Sequence, residues 1–401
     1  MGRSEIREVA MNFHLLTQYL DSLNEEYGIP GLDVIVTKDY ETVYRHQTGH
    51  ADYAGKRPVS DGDFYRLFSA TKVMTMTAMM QLIEQGKVSL YDPVSRFLPE
   101  WDMMTVVNAN WREKGGNAFC PTLSEPSHFA KNRVRIIDCM SMTAGLTYDQ
   151  NSEAIRELIS RKPDANTREV VAAIARMPLL FEPGTRYQYS LGHDVIAAVI
   201  EVVSGEKFSD YLQNHLFGPL GVTDLTCHPT KEQWDRMSAL YAYDPASKEM
   251  KPEEMNAMSY EVTPEYESGG ASLCGSVDAY SEVICALANG GVGRNGARIL
   301  SEESVMRFTH SVLTGIQLTD FRIDRFLEYS YGLGVRVHVT STLGRSPVGE
   351  YGWDGAAGAY ALIDPFNHVS VFYAHHILNF GEVYNVIHPR VRDLVYLGLS
   401  R

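Results

Sequence analysis

A serine and a lysine three residues apart, Ser69 and Lys72, form an S-x-x-K motif, in which the lysine can take up the proton of a serine nucleophile. Ser204 and Lys207 repeat the spacing. Spacing alone decides little, because about one match is expected by chance in a chain of this length. Ser204 ends a predicted apolar helix over 195–203 and precedes Gly205, a helix C-terminal signal. Carbonyl groups point outward there and would oppose an oxyanion.

Ser69 instead opens a predicted helix over 70–85. A helix N-terminus offers free N–H groups and a positive potential where negative charge would develop. Lys72 lies one turn further on, within reach of the Ser69 hydroxyl. A helix-capping serine followed by a surface lysine explains the same local pattern equally well.

Seven segments favour the interpretation of Ser69 as a nucleophile with Lys72 as its proton acceptor. In chain order they are IPGLDVIV, FSATKVMTMTAMMQLIEQGKVSLYDPVSRFLPE, RIIDCMSMTAGLTYD, FEPGTRYQYSLGHDVIAAVIEVVSG, LFGPLGVTDLT, SGGASLCGSVDAYSEVICALANGG and GWDGAAGAYALIDP. Together they resemble the serine β-lactamase and penicillin-binding-protein-like superfamily, most closely class C β-lactamases and family VIII carboxylesterases. The resemblance runs from about residue 27 to residue 375.

The resemblance implies a role for each matching residue. Ser69 matches the nucleophile that accepts the acyl group, and Lys72 and Tyr189 match the pair that moves its proton. The backbone N–H groups of Ser69 and Ala356 match the oxyanion donors. The positions implied to contact substrate are Trp353, Gly355, Leu191 and Tyr148. Packing roles for Tyr189 and Trp353, as plain aromatic core residues, remain open at this point.

Two departures from the family pattern bear on the substrate. Leu191 stands where β-lactamases and peptidases carry an asparagine that bonds the substrate amide, and it can donate nothing. Trp353 stands where many of them carry a lysine that meets the substrate carboxylate. Both changes disfavour β-lactams and D-Ala-D-Ala stems and tolerate a neutral ester. We therefore expect a carboxylesterase that works through an acyl-enzyme, without metal or organic cofactor.

Other functions fit the same residues. A β-lactamase or D-amino-acid peptidase would need another cation for the carboxylate, and Arg336 and Arg345 are the candidates. A sensor would be acylated at Ser69 and stay so, and a structural relic would not be acylated at all. Acyl and alcohol specificity, the true acyl acceptor and the oligomeric state stay open.

The helices and strands that we expect to position these residues indicate an α+β fold. Helices are expected at 9–27 and 389–400, and strands at 32–37, 42–49, 331–338, 359–364 and 369–375. The resemblance implies a β-lactamase-like fold, with an antiparallel sheet flanked by terminal helices, a mainly helical domain and an active site at their junction. Residues 1–66 and 285–401 would form the sheet domain, and 67–284 the helical insertion. A polar loop over 108–132 is expected to shape a pocket mouth.

Composition excludes several classes of protein. Lys and Arg total 36 against 50 Asp and Glu, and the net charge of −14 argues against a nucleic-acid partner. Five scattered cysteines form neither a disulfide framework nor a zinc motif. Without an apolar leader or a run of ~18 apolar residues, no membrane span is expected and the protein is predicted to be cytoplasmic. The G-x-G-x-x-G pattern at 291–296 follows a predicted helix, so we interpret it as a turn.

Overall fold

The computed structural model describes residues 11–253, 262–324, 327–342 and 344–400. Its strands are β1 (Gly31–Lys38), β2 (Glu41–Gly49), β3 (Tyr65–Arg66), β4 (Thr105–Val107), β5 (Ser127–Phe129), β6 (Leu225–Thr226), β7 (Tyr241–Asp244), β8 (Glu249–Pro252), β9 (Cys274–Gly275), β10 (Tyr329–Tyr331), β11 (Arg336–His338), β12 (Tyr351–Asp354), β13 (Tyr360–Asp364), β14 (Val369–Ala374) and β15 (Ile377–Leu378).

The helices are α1 (His14–Tyr27), α2 (Thr71–Glu84), α3 (Ile136–Met140), α4 (Glu153–Arg161), α5 (Thr167–Ile174), α6 (Gly192–Ser204), α7 (Phe208–Leu212), α8 (Gly218–Leu220), α9 (Lys231–Asp235), α10 (Val277–Ala288), α11 (Glu302–Phe308), α12 (Gly315–Asp324) and α13 (His388–Leu399). Short 3-10 turns lie at Phe68–Ala70, Val94–Arg96, Pro99–Trp101 and Gly116–Ala118, and π-helical turns at Gln213–Phe217 and Val383–Ile387.

The largest sheet has seven antiparallel strands in the order β10-β11-β12-β13-β14-β1-β2. The two strands near the start of the chain therefore complete a sheet whose other strands come near its end. Alternation along β1 sends Val34 and Val36 to the face covered by α1 and α13, and Ile35 to the opposite face. On that opposite face Phe372 of β14 stacks on Tyr280 of α10, with ring centroids 4.1 Å apart.

Helix α2 is the central helix of the remaining layer, as its sequence predicts. All but two of its 14 residues are buried, and it packs against α6 and α7. It begins two residues later than Ser69, which lies in the 3-10 turn Phe68–Ala70 that leads into it. This turn lies between the end of β12 and the helical layer, so the site forms at their junction.

The expected strand over 331–338 is wrong, because the structure divides it into β10 and β11. Between them Gly334 has φ +83°, and Gly332 donates its N–H to the Val335 carbonyl at 2.8 Å. Glycine tolerates the positive φ that closes such a turn, so the chain reverses and forms a hairpin. The expected loop over 108–132 also holds β5, which pairs with β4. The expected helix over 9–27 begins later than predicted, because residues 11–13 are not helical and α1 starts at His14. The other expected strands and helices agree with the structure to within about three residues.

The antiparallel sheet and the surrounding helices confirm the α+β prediction. The division into a sheet domain and a helical insertion stays a prediction. Across the described ranges, no helix combines the length and the apolar character that crossing a membrane requires. The glycine pattern at 291–296 forms a turn after α10, where Gly293 donates its N–H to the Ala297 carbonyl at 2.8 Å.

Candidate active site

Three of the predicted residues meet at the Ser69 hydroxyl. Its Oγ accepts a hydrogen bond from Lys72 Nζ at 3.0 Å and another from the Tyr189 hydroxyl at 2.9 Å. Ser69 is 8% exposed and Lys72 is 0% exposed. Lys72 is therefore not a surface lysine, and its amine lies where low solvent access strengthens a hydrogen bond.

The turn that presents Ser69 is held in an unusual conformation. Phe68, the residue before the serine, has φ +46°, a region that L-residues with large side chains rarely adopt. Tyr280 of α10 donates its hydroxyl to the Ala70 carbonyl at 2.8 Å, just beyond the serine. Strain of this kind costs ~1–3 kcal/mol and is typical of functional turns.

Lys72 is anchored by a backbone segment from a distant part of the chain. Its Nζ donates to the Gly270 carbonyl at 2.8 Å, 198 positions away. One turn further along α2, Thr75 donates to the Gly269 carbonyl at 2.6 Å. These two bonds fix the register between α2 and residues 269–270, so the amine stays directed at Ser69.

Tyr189 is held within a stack of aromatic rings. Tyr148 lies parallel to it with ring centroids 5.2 Å apart, and Trp353 stacks on it at 5.7 Å. The Trp353 indole N–H also donates to the Tyr189 hydroxyl at 3.4 Å. Lys72 Nζ lies 4.9 Å from the Tyr189 ring centroid. The stack leaves the phenol little rotational freedom, so its hydroxyl remains near Ser69.

Gly355 brings the predicted oxyanion peptide close to the turn of Ser69. A Cβ at Gly355 would lie 2.3 Å from the carbonyl oxygen of Leu67, so only glycine allows this approach. Tyr384 donates its hydroxyl to the Gly355 carbonyl at 2.9 Å. Within one trans peptide the carbonyl and the following N–H point in opposite directions. By holding the Gly355 carbonyl, Tyr384 thereby sets the direction of the Ala356 N–H.

Replacing Tyr384 with phenylalanine is expected to lower kcat about tenfold and to leave KM nearly unchanged. The peptide before Ala356 would lose the bond that orients it, and a fully lost oxyanion donor costs ~10²–10³-fold. Steady-state ester hydrolysis measures both constants. Tyr396→Phe removes a tyrosine hydroxyl that bonds Asp364 at 2.6 Å and serves as the control, with full activity expected. Unchanged kcat in Tyr384→Phe would show that the peptide needs no such support.

The predicted substrate-contacting residues lie at different depths. Leu191 and Trp353 are each 2% exposed and belong to the hydrophobic core. Tyr148 is half-buried beside Tyr189. For Trp353 the structure gives ring contacts with Tyr189 and Tyr331. Both the packing role and the substrate role of Trp353 are compatible with this position, and the substrate contacts stay predictions.

The two arginines proposed as carboxylate partners are placed differently. Arg336 is 3% exposed, and it donates to Asp354 at 2.8 Å and to the Ala361 carbonyl at 2.9 Å. A guanidinium with two fixed bonds within the sheet is poorly suited to receive a substrate. Arg345 is exposed, and its backbone N–H donates to Asp393.

The second S-x-x-K pair is not assembled into a site. α6 ends at Ser204, and Gly205 follows with φ +78°, as predicted. Ser204 donates its hydroxyl to the Ile200 carbonyl at 2.7 Å, whereas Lys207 forms a surface ion pair with Glu265.

One buried acid beside the site was missed from the sequence. Asp194 of α6 is 0% exposed, and its Oδ1 accepts hydrogen bonds from Tyr266 and Ser268, each at 2.6 Å. Burial raises the pKa of Asp194, while these two bonds and the charge of Lys72 oppose the rise. The available signal was an acid in the first turn of a mostly apolar helix, since buried charges are uncommon without a partner.

Neighbouring His193 also bears on the charge around Lys72. It is fully buried and its Nε2 lies 3.1 Å from the Gly334 carbonyl. Burial, followed by the charge of Lys72, lowers the pKa of His193 well below its usual range. His193 is therefore neutral at physiological pH.

Within the part of the chain that is described, no three His, Cys, Asp or Glu side chains gather as metal ligands would.

Comparisons with known proteins identify the family of the chain. The family model described as Beta-lactamase matches residues 16–395. Esterase EstB of Burkholderia gladioli is 28% identical over 216 residues, covering 52% of this chain and 50% of that protein. A putative D-alanyl-D-alanine carboxypeptidase of Escherichia coli K12 is 24% identical over 375 residues, covering 86% of this chain and 78% of that protein. The solved structure of EstCE1, a hydrolase with promiscuous acyltransferase activity, superposes with a TM-score of 0.75 at 23% identity, covering 96% and 98% of the two chains.

Proposed function

The chain belongs to the β-lactamase family, a family of serine hydrolases, and from this premise we propose that it hydrolyses small neutral carboxylic esters through an acyl-enzyme at Ser69. One observation carries the proposal. The Ser69 Oγ lies within hydrogen-bond distance of both Lys72 Nζ and the Tyr189 hydroxyl. A nucleophile beside two groups that can exchange its proton meets the geometric requirement for covalent catalysis.

Acylation begins when the Ser69 proton passes to the Lys72–Tyr189 pair and Oγ attacks the ester carbonyl. The carbonyl oxygen becomes an oxyanion, which the N–H groups of Ser69 and Ala356 stabilise. The tetrahedral intermediate collapses, the ester C–O bond breaks, and the alcohol leaves with a proton from the pair. Water gives a proton to the same pair and attacks the acyl carbonyl. The bond between the acyl carbon and Oγ then breaks, the pair returns the proton to Ser69, and the acid is released.

The surroundings of Ser69 favour a neutral substrate. Leu191 offers no hydrogen-bond donor to a substrate amide. Trp353 carries no charge, and Arg336 is already bonded to Asp354 and a backbone carbonyl. A substrate carboxylate buried here would lose the charge-assisted bond that is worth ~1.5–3 kcal/mol. The similarity to esterase EstB supports the same preference for an ester substrate.

The test is to follow hydrolysis of p-nitrophenyl butyrate and of nitrocefin by the same preparation. We expect ester turnover with nitrocefin slow or untouched, and a difference of at least ~10²-fold in kcat/KM between them. Rapid nitrocefin turnover would overturn the ester preference and favour a β-lactamase or a D-Ala-D-Ala-type peptidase. One burst of nitrophenolate without further turnover would instead identify an acyl sensor.

A further inference from the structure

We infer that Asp194 is a positioning residue for the proposed base, and that its buried carboxylate governs the protonation of Lys72. This inference deepens the proposed function and rests on it. Asp194 does not touch Ser69 or the reacting atoms. It acts through Lys72, from behind the amine.

The first argument is the direction of the second carboxylate oxygen. Oδ1 of Asp194 is occupied by Tyr266 and Ser268, whereas no group in the described ranges donates to Oδ2. A Cβ built on Gly270 would lie 3.3 Å from that Oδ2 and 3.2 Å from Lys72 Nζ. Both atoms therefore lie beside Gly270, and the carboxylate and the amine are buried neighbours that interact through their charges without a direct ion pair.

The second argument concerns the other groups around this pair. His193 on the same helix is neutral, because burial lowers its pKa well below its usual range. Tyr266 is neutral as well, since burial raises its pKa well above its usual range. Glu267 of the adjacent segment is bonded by His228 and Ser209, each at 2.7 Å.

The rings that face the amine, those of Tyr148 and Tyr189, carry no formal charge in their protonated form. The Asp194 carboxylate is therefore the counter-charge that faces the Lys72 amine.

A third contact links the two residues through the backbone. Ser268, which donates to Asp194, accepts the Gly270 N–H at 3.2 Å. Gly270 in turn provides the carbonyl that accepts from Lys72. Through Ser268, Asp194 therefore also helps to hold Gly270, the residue whose carbonyl anchors the amine. Electrostatic and geometric effects reach Lys72 from the same side chain.

A negative charge this close favours the ammonium form of Lys72, and a base must first lose that proton. Asp194→Asn keeps the volume and the acceptor oxygen but removes the charge. The acidic limb of the pH–rate profile should then move to lower pH by about one unit or more. Below the limb, Asp194→Asn should react about tenfold faster than the unsubstituted protein at the same pH.

The experiment measures the rate at which a fluorophosphonate labels Ser69 between pH 5 and 10. Because the fluorophosphonate reacts with the serine directly, this measurement does not require the ester substrate to be known. Absence of labelling in the unsubstituted protein would contradict the proposed function itself. If the unsubstituted protein is labelled but the acidic limb of Asp194→Asn stays in place or moves to higher pH, only the role of Asp194 is overturned. A lower melting temperature with an unmoved limb would show a purely structural residue.

Asp364→Asn is the matched control. Asp364 is also 0% exposed and also accepts a 2.6 Å hydrogen bond from a tyrosine, but it lies at the end of β13 away from Gly355. Its replacement should lower stability and leave the limb in place. If Asp194→Asn does not fold, Tyr266→Phe and Ser268→Ala each remove one donor that stabilises the carboxylate. Both should move the limb in the same direction by a smaller amount, and an unmoved limb in both would overturn the inference.

Discussion

Replacing Ser69 with alanine should lower kcat/KM for p-nitrophenyl butyrate by at least ~10³-fold, which corresponds to ~4 kcal/mol of lost transition-state stabilisation. The change removes the oxygen atom that accepts hydrogen bonds from both Lys72 and Tyr189. Without Oγ no acyl-enzyme can form, and the remaining oxyanion donors act only on a water attack. The fold should persist, since alanine fits the space and Ser69 is no helix cap.

The chain contains its own control for this experiment. Ser204→Ala alters the other S-x-x-K serine, which bonds a helix carbonyl at the end of α6, and should retain full activity. Intact-mass analysis after fluorophosphonate treatment should show one adduct, lost in Ser69→Ala and kept in Ser204→Ala. Ester turnover above a tenth of normal in folded Ser69→Ala would mean that another residue is the nucleophile.

Replacing Lys72 with methionine should lower kcat/KM by about 10³-fold with the chain still folded. Methionine has a similar length and no charge, and α2 already carries buried methionines after this position, the first of them at Met74 and Met76. The loss follows because Ser69 would keep only Tyr189 as a proton acceptor, and general base catalysis contributes ~10²–10⁴-fold. Steady-state hydrolysis of p-nitrophenyl butyrate measures the loss.

Lys207→Met separates the loss of a base from the loss of a lysine. Lys207 is exposed and paired with Glu265 at the surface, where such a bond is worth at most ~1 kcal/mol. This variant should therefore hydrolyse esters at the normal rate. A Lys72→Met protein that keeps its activity would place the base elsewhere.

The serine and lysine were predictable because their relation is local. One helical turn brings Ser69 and Lys72 together, so their contact follows from the spacing once the helix is predicted. Tyr189 lies 120 positions from Ser69, so only the family resemblance connected them before the structure did. The hairpin between β10 and β11 was missed because the alternating pattern continues through the residues of its turn.

Asp194 shows the limit of reasoning from local pattern. Its burial depends on Tyr266 and Ser268, which reach it from 72 and 74 positions further along the chain. Nothing within α6 reports that contact. Trp353 and Leu191 illustrate the same difficulty, since their low exposure results from neighbours on other elements.

The order of strands in the large sheet has a consequence for biosynthesis. β1 is a central strand, and both neighbours are needed before its backbone groups are paired. Thr37 and Ser370, which share a hydrogen bond of 2.7 Å across β1 and β14, are 333 positions apart. At ~5–20 residues per second, the ribosome takes roughly 15–70 s to supply the second after the first. During that interval the β1 edge that later pairs with β14 stays open, and an open strand edge can pair with another chain. The sheet can therefore be completed only when translation nears its end.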